Sequence, residues 1–151
     1  MDEPIKTRPA IFIDRDGTLV EEVDFLSRPE DMRVYRFSAQ ALRLFKERDY
    51  KIIVITNQSG VGRGYFNADD VRSVHEALAV ELPEMIDAFY FCPHRPDDGC
   101  SCRKPSSGMI EQAVKDHSID TANSWIVGDK KLDIETGFNI GMASPPSSVA
   151  S

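Results

Sequence analysis

A doubly wound α/β domain, a Rossmann-like parallel sheet between helices, is predicted by three features of this 151-residue chain. Two runs rich in β-branched residues, Ala10-Ile11-Phe12-Ile13 and Ile52-Ile53-Val54-Ile55, lack polar alternation and so suit strands covered on both faces. Stretches of helical periodicity separate the runs, which gives the strand, helix, strand order of a parallel sheet with right-handed crossovers. Each run ends in polar residues, at the strand ends where such sheets bind ligands.

The first strand is Ala10-Ile11-Phe12-Ile13. From Ser38, the residues Ala41, Leu42, Phe45 and Arg48 recur at helical spacing, and the second strand is Ile52-Ile53-Val54-Ile55. Asn67 is placed to cap the next helix, whose apolar set is Val71, Val74, Leu78 and Leu82, with Phe66 and Val71 positioned as a hydrophobic staple. A third strand falls at Ala88-Phe89-Tyr90-Phe91. A third helix starts at Ser106 or Ser107 and carries Met109, Ile110, Ala113 and Val114, and Trp125-Ile126-Val127 forms the fourth strand. His75 and His117 lie in helical patterns and are expected on the solvated surface. One domain over 1–143 is expected, with 144–151, four Ser and two Pro among eight residues, as a loose tail.

The formal charge of −7 disfavours a nucleic-acid or anionic-membrane partner, since the total offers no basic counter-surface. A small anionic ligand needs only one local cationic pocket. No apolar run approaches the roughly twenty residues of a membrane span, and the acidic N-terminus lacks a signal-like stretch, so a cytoplasmic location is expected. A chain of this length can bury a core without oligomerisation, and a monomer is expected.

The strand ends carry the chemistry. In Asp14-Arg15-Asp16-Gly17-Thr18, side-chain alternation lets Asp14 and Asp16 face one crevice, close enough to share Mg²⁺ or divide nucleophile and acid roles. Thr56-Asn57-Gln58-Ser59-Gly60 supplies hydroxyl, amide and backbone donors suited to a phosphate. The following Gly60-Val61-Gly62-Arg63-Gly64 matches no nucleotide-binding spacing. Cys92, His94, Cys100 and Cys102 form a C-x-H and C-x-C set, the four ligands of a closed structural zinc site. Three cysteines so close together suit a metal better than a disulfide framework, and the clip adjoins Arg103-Lys104, so it would hold that loop with Lys104 at the phosphate. Asp129 repeats the placement of Asp14 and makes a third carboxylate for Mg²⁺. Asp133, one helical turn on, is placed to orient Lys104 or a metal-bound water.

These motifs, Asp14-x-Asp16-Gly17-Thr18, Thr56, Lys104 and Asp129 with Asp133, in this order and at strand ends, resemble those of the haloacid-dehalogenase-like phosphatase superfamily over 10–141. The zinc clip and Ile55-Thr56-Asn57-Gln58-Ser59-Gly60 resemble the subgroup that acts on heptose bisphosphate and on histidinol phosphate. The stretch from Ser59 to Phe66 is closer to the heptose enzymes, which are favoured; the five-residue gap between His94 and Cys100 is closer to the histidinol enzymes. The resemblance implies Asp14 as the nucleophile of an aspartyl-phosphate intermediate and Asp16 as acid and then base. It further implies Mg²⁺ on Asp14, the Asp16 carbonyl and Asp129, and Thr56 and Lys104 on the phosphoryl oxygens. Arg103, Lys130, Asn57, Gln58 and Ser59 match substrate-contacting positions, and residues 22–25 match a small specificity loop. No insertion provides a large cap domain, so an open site is expected.

The resemblance fails after Gly141, where relatives continue into a further strand and this chain runs into Ser144-Pro145-Pro146. A sheet lacking its terminal strand is the expectation there. Two other classes compete: a receiver domain using phosphoaspartate as a switch, and a non-catalytic zinc-organised binding module. The zinc clip and the paired Asp14 and Asp16 argue against the first, because a switch has no use for an acid that hastens hydrolysis. The intact motifs argue against the second.

Overall fold

The computed structural model describes residues 6–142. The predicted tail and the expectation of a missing terminal strand lie outside them. Four parallel strands, β1 (Ala10–Ile13), β2 (Lys51–Asn57), β3 (Ala88–Cys92) and β4 (Trp125–Val127), form one sheet in the order β3-β2-β1-β4. Helices α1 (Ser38–Glu47), α2 (Ser59–Gly62), α3 (Ala68–Glu81), α4 (Gly108–His117) and α5 (Lys131–Asn139) connect and cover the strands. The doubly wound prediction is therefore met.

Side-chain alternation divides the core into two layers. Ile11, Ile13, Ile52 and Val54 point to one face, where Leu42 of α1 and Val74 and Leu78 of α3 cover them. Ala10, Phe12, Ile53 and Ile55 point to the other, against Met109, Ile110 and Ala113 of α4. Burial on both faces explains why β1 and β2 read as unbroken apolar runs. β3, at the sheet edge, is only half-buried over most of its length, in keeping with its weaker sequence signal.

The strand order reverses beside β1: the chain passes outward to β2 and β3, then returns to β4 on the other side. Such a switch point leaves a crevice at the C-terminal strand ends. β2 runs two residues beyond its apolar core because Thr56 and Asn57 pair with Phe91 and Cys92, so both polar residues sit on rigid strand backbone. The Asn67 cap is present. Its side chain accepts from the Asp70 N–H at 2.9 Å, and the Asp70 carboxylate accepts from the Asn67 N–H at 2.9 Å. Helices α2 and α5 were not outlined by periodicity: α2 is a single turn, and the apolar positions of α5 are few.

His75 corrects the sequence expectation. It is 5% exposed, stacked on Phe89 with ring centroids 4.5 Å apart, and its Nε2 accepts from Arg15 Nη1 at 3.2 Å. The apolar set of α3 leaves room for a fourth inward position, which a histidine fills once its ring nitrogen has a partner. Burial, helped by the Arg15 charge, pushes its pKa down to about 3.

A histidine neutral when folded but protonated when unfolded costs stability as pH falls below its unfolded pKa of about 6.5, with the loss complete near its folded value. Urea unfolding followed by Trp125 fluorescence at pH 7 and pH 5 should show wild type losing about 2 kcal/mol more than His75→Gln across that interval. Parallel curves for the two proteins would contradict the neutral buried state.

Candidate active site

At the crevice, Lys104 is the centre of a buried ion cluster. Its Nζ donates to Asp14 Oδ1 at 3.0 Å, to Asp133 Oδ1 at 2.6 Å and to the Ile55 carbonyl at 3.2 Å. Those are all three protons of an ammonium. Lys104 is 2% exposed, Asp14 4% and Asp133 1%, so the two acids and their shared cation are withdrawn from water. Burial, reinforced by the Asp133 charge, outweighs the opposing pull of Lys104 and raises the Asp14 carboxyl to about 6.

Each member comes from a different part of the chain. Asp14 follows β1 and donates its N–H to the Val127 carbonyl of β4 at 3.0 Å. Asp133 lies in the first turn of α5, where its Oδ2 accepts from the Lys130 N–H at 3.3 Å, a favourable place for a carboxylate. A Cβ on Gly128 would collide with the Asp133 side chain, so only glycine lets α5 approach this closely. Lys104 sits in the loop after β3, its backbone bracketed by one side chain: the Lys104 N–H donates to Asn57 Oδ1 at 2.9 Å, and Asn57 Nδ2 donates to the Lys104 carbonyl at 3.3 Å.

Across from this cluster, Asp16 accepts from Arg15 Nε at 2.9 Å, Arg15 Nη2 at 3.0 Å and Gln58 Nε2 at 3.1 Å. Gln58 Nε2 also donates to Thr56 Oγ1 at 2.8 Å, which leaves the Thr56 O–H to donate to a ligand. Gln58 therefore directs its amide at its neighbours in the site. A cavity of 290 Å³ is lined by Asp14, Asp16, Thr56, Asn57, Ser59, Arg103, Lys104, Lys130 and Leu132. It brings together most of the residues singled out by sequence. An adjoining space of 180 Å³ adds Glu22, Val23, Asp24 and Phe25, the loop expected to shape selectivity. Arg103 Nη1 is buried with no hydrogen-bond partner among the described residues, an unsatisfied donor beside an anion-sized cavity. Lys130 lies 3.4 Å from Glu22; its own burial opposes the charge, but Asp14, Asp129 and Glu22 outweigh that and raise its pKa.

Carboxylate oxygens of buried Asp14 and Asp133 and of exposed Asp129 fall within 4.8 Å of one another. Three carboxylates face two lysines, Lys104 and Lys130, and present a set of hard oxygen donors that fits a magnesium-like cation. Asp129 also explains Gly17: at φ +82°, a Cβ there would meet the Asp129 carboxylate.

The second cluster is the Cys and His set, whose ligand atoms lie within 4.8 Å of one another. Cys92 and Cys102 are joined as a disulfide, Cys92 Sγ and Cys100 Sγ are 3.6 Å apart, and His94 Nδ1 is 3.3 Å from Cys92 Sγ and 3.1 Å from Cys102 Sγ. A disulfide gives no reason for a third thiol and an imidazole to converge on the same point. A metal site does: the Cys92–Cys100 and Cys92–His94 separations are close to the edges of a tetrahedral zinc site, about 3.7 Å between sulfurs and about 3.5 Å between sulfur and nitrogen, whereas the Cys92–Cys102 bond would have to be reduced.

The comparisons with known proteins agree with this geometry. Residues 9–135 match the family described as polynucleotide kinase 3 phosphatase. The D-glycero-beta-D-manno-heptose-1,7-bisphosphate 7-phosphatase of Helicobacter pylori is 38% identical over 139 residues, covering 89% of this chain and 80% of the relative. The chain belongs to the haloacid-dehalogenase-like phosphatases. Among solved structures of this superfamily, D,D-heptose 1,7-bisphosphate phosphatase from B. bronchiseptica, complexed with magnesium and phosphate, superposes with a TM-score of 0.82 at 34% identity, over 90% of this chain and 78% of that one. A HAD-superfamily hydrolase from Ehrlichia chaffeensis shares the fold alone, with a TM-score of 0.63 at 14% identity over 93% and 88% of the two chains. The phosphatase assignment sets aside the receiver and binding-module alternatives.

Sequence reasoning missed Arg15 and His75, which stand behind Asp16. The signal for Arg15 was available, since it separates the two acids, but nothing in the sequence placed α3 against it. Removing one partner of a buried ion cluster leaves the others unpaired in low dielectric. Lys104→Met should therefore lower unfolding free energy by about 3–5 kcal/mol in urea titration, far beyond the loss expected from a surface lysine.

Proposed function

We propose that this phosphatase is a Mg²⁺-dependent D-glycero-D-manno-heptose-1,7-bisphosphate 7-phosphatase, working through an aspartyl-phosphate in the cytoplasm as a monomer. The observation that carries the reading is Asp14 and Asp16 facing one cavity with Thr56, Arg103 and Lys104 around it. Asp14 attacks phosphorus in line with the ester oxygen, and Asp16 protonates that oxygen as the P–O bond breaks, so the alcohol leaves neutral. Asp16, now a carboxylate, takes a proton from the water that attacks the aspartyl-phosphate, which releases phosphate and restores both acids. Thr56 holds a phosphoryl oxygen through its O–H, and Lys104 does so by turning toward it the proton that it gives Asp14 in the free site; both stabilise the charge on those oxygens from rigid positions.

The donor set fits Mg²⁺ held by Asp14, the Asp16 carbonyl and Asp129; when bound it would neutralise charge on the phosphoryl group. Asp133 keeps Lys104 oriented. Arg103 and Lys130 bind the remainder of the substrate with Asn57, Gln58 and Ser59, and a doubly phosphorylated sugar suits these cations. The heptose relatives and the segment from Ser59 to Phe66 support the substrate. Histidinol phosphate is the second reading, favoured by the short gap between His94 and Cys100. The Cys92, His94, Cys100 and Cys102 set fits structural Zn²⁺ in its reduced form, which would keep Arg103 and Lys104 in register.

Phosphate release from the heptose bisphosphate should require Mg²⁺, exceed release from histidinol phosphate, and fall at least about 1,000-fold in Asp14→Asn. Faster turnover of histidinol phosphate would reverse the substrate assignment. Cys102→Ser should reduce bound zinc and turnover together while the Mg²⁺ dependence persists. Full activity in zinc-free protein would remove the clip from the reading.

A further inference from the structure

Arg15 is fully buried, the largest such side chain among the described residues, although it lies between two residues of the cavity. A buried guanidinium needs fixed partners. Two of its nitrogens, Nε and Nη2, clasp the two oxygens of Asp16 at 2.9 and 3.0 Å, and the third, Nη1, donates to His75 Nε2 at 3.2 Å. Because a guanidinium has no acceptor, the imidazole must receive this bond on an unprotonated Nε2. His75 is in turn held between α3 and β3, stacked on Phe89 and edge-on to Phe91 at 6.2 Å. The chain of contacts thus runs from the packed core to a carboxylate whose side chain is 19% exposed in the site.

We propose that Arg15 and His75 are positioning residues for the proton transfer made by Asp16, with His75 fixing the Arg15 fork and the fork fixing the carboxyl. The inference rests on the role of Asp16 proposed above. A carboxylate has about four lone-pair sites. Arg15 Nε occupies one on Oδ1, while Arg15 Nη2 and Gln58 Nε2 occupy both on Oδ2. One site remains, on Oδ1, and that oxygen carries the exchanged proton. In the forward step, the Asp16 O–H bond breaks as its proton passes to the bridging ester oxygen, the electron pair of the breaking P–O bond stays with that oxygen, and the carboxylate left behind is received by the fork. A bidentate clasp fixes the plane of the carboxyl as well as its position, which a single donor would not do.

Leaving-group dependence separates this role from a structural one. A sugar alcohol must be protonated as it departs, whereas nitrophenolate departs without help. The test is leaving-group release in a single turnover at saturating substrate, from heptose 1,7-bisphosphate and from p-nitrophenyl phosphate, in wild type, Asp16→Asn, Arg15→Met, His75→Leu and His75→Gln. Arg15→Met should slow release from the sugar phosphate by about 100-fold or more and nitrophenolate release by only a few-fold. His75→Leu should show the same asymmetry at about 10-fold, and His75→Gln, which keeps an acceptor for Nη1, should recover most of it. If Arg15→Met does not fold, the two His75 variants decide. Equal losses on both substrates, or no loss in His75→Leu, would overturn the positioning role while a selective Asp16→Asn upholds the acid. A non-selective Asp16→Asn would overturn the acid assignment and the inference with it.

Discussion

The shared ammonium of Lys104 is the interaction on which the site depends. Two buried carboxylates, Asp14 and Asp133, face it from β1 and α5, and the Ile55 carbonyl of β2 takes its third proton. No pair among them is close in sequence, so the cluster forms only when the strands on both sides of β1 and the loop after β3 are in register. The cost of burying these charges is offset only by completing the set. The geometry of the cluster and the correct closure of the fold are therefore coupled.

This arrangement also explains how an acidic protein accommodates an anionic substrate. The formal charge is −7, yet Lys104, Arg103 and Lys130 line a single cavity. At contact distance, local charge outweighs a total that lies beyond the screening length. The parts set by the sheet are strand ends and helix termini, and the loop at residues 22–25 lines the adjoining space. Asn57 connects the two regimes: it belongs to β2 yet holds the Lys104 backbone, so the loop that carries the lysine is tied to the sheet independently of any metal at the cysteines.

Much of the fold was legible because its signals are local. Continuous apolar runs announced β1 and β2, the Asn67 cap and the apolar set behind it announced α3, and the acids, hydroxyl and lysine at strand ends announced the cavity. The turns of α2 and α5 were not legible, since a single helical turn has no period and α5 is placed by its fit against β4, where Gly137 passes Ile126. His75 was misplaced for a similar reason. A histidine on a helix reads as polar until the partner that satisfies its ring nitrogen is known, and that partner lies 60 residues away.

Residue order and chemical type by themselves determined the sheet class, the motif set and the likeness to the haloacid-dehalogenase-like phosphatases, because strand alternation and strand-end chemistry are properties of short segments. Only the tertiary structure decided which groups share protons: Lys104 between two acids, Gln58 turned onto Asp16 and Thr56, Arg15 buried and clasping its neighbour. Hydrogen bonds and ion pairs act over about 3 Å, and which atoms come within that reach is set by packing between distant segments.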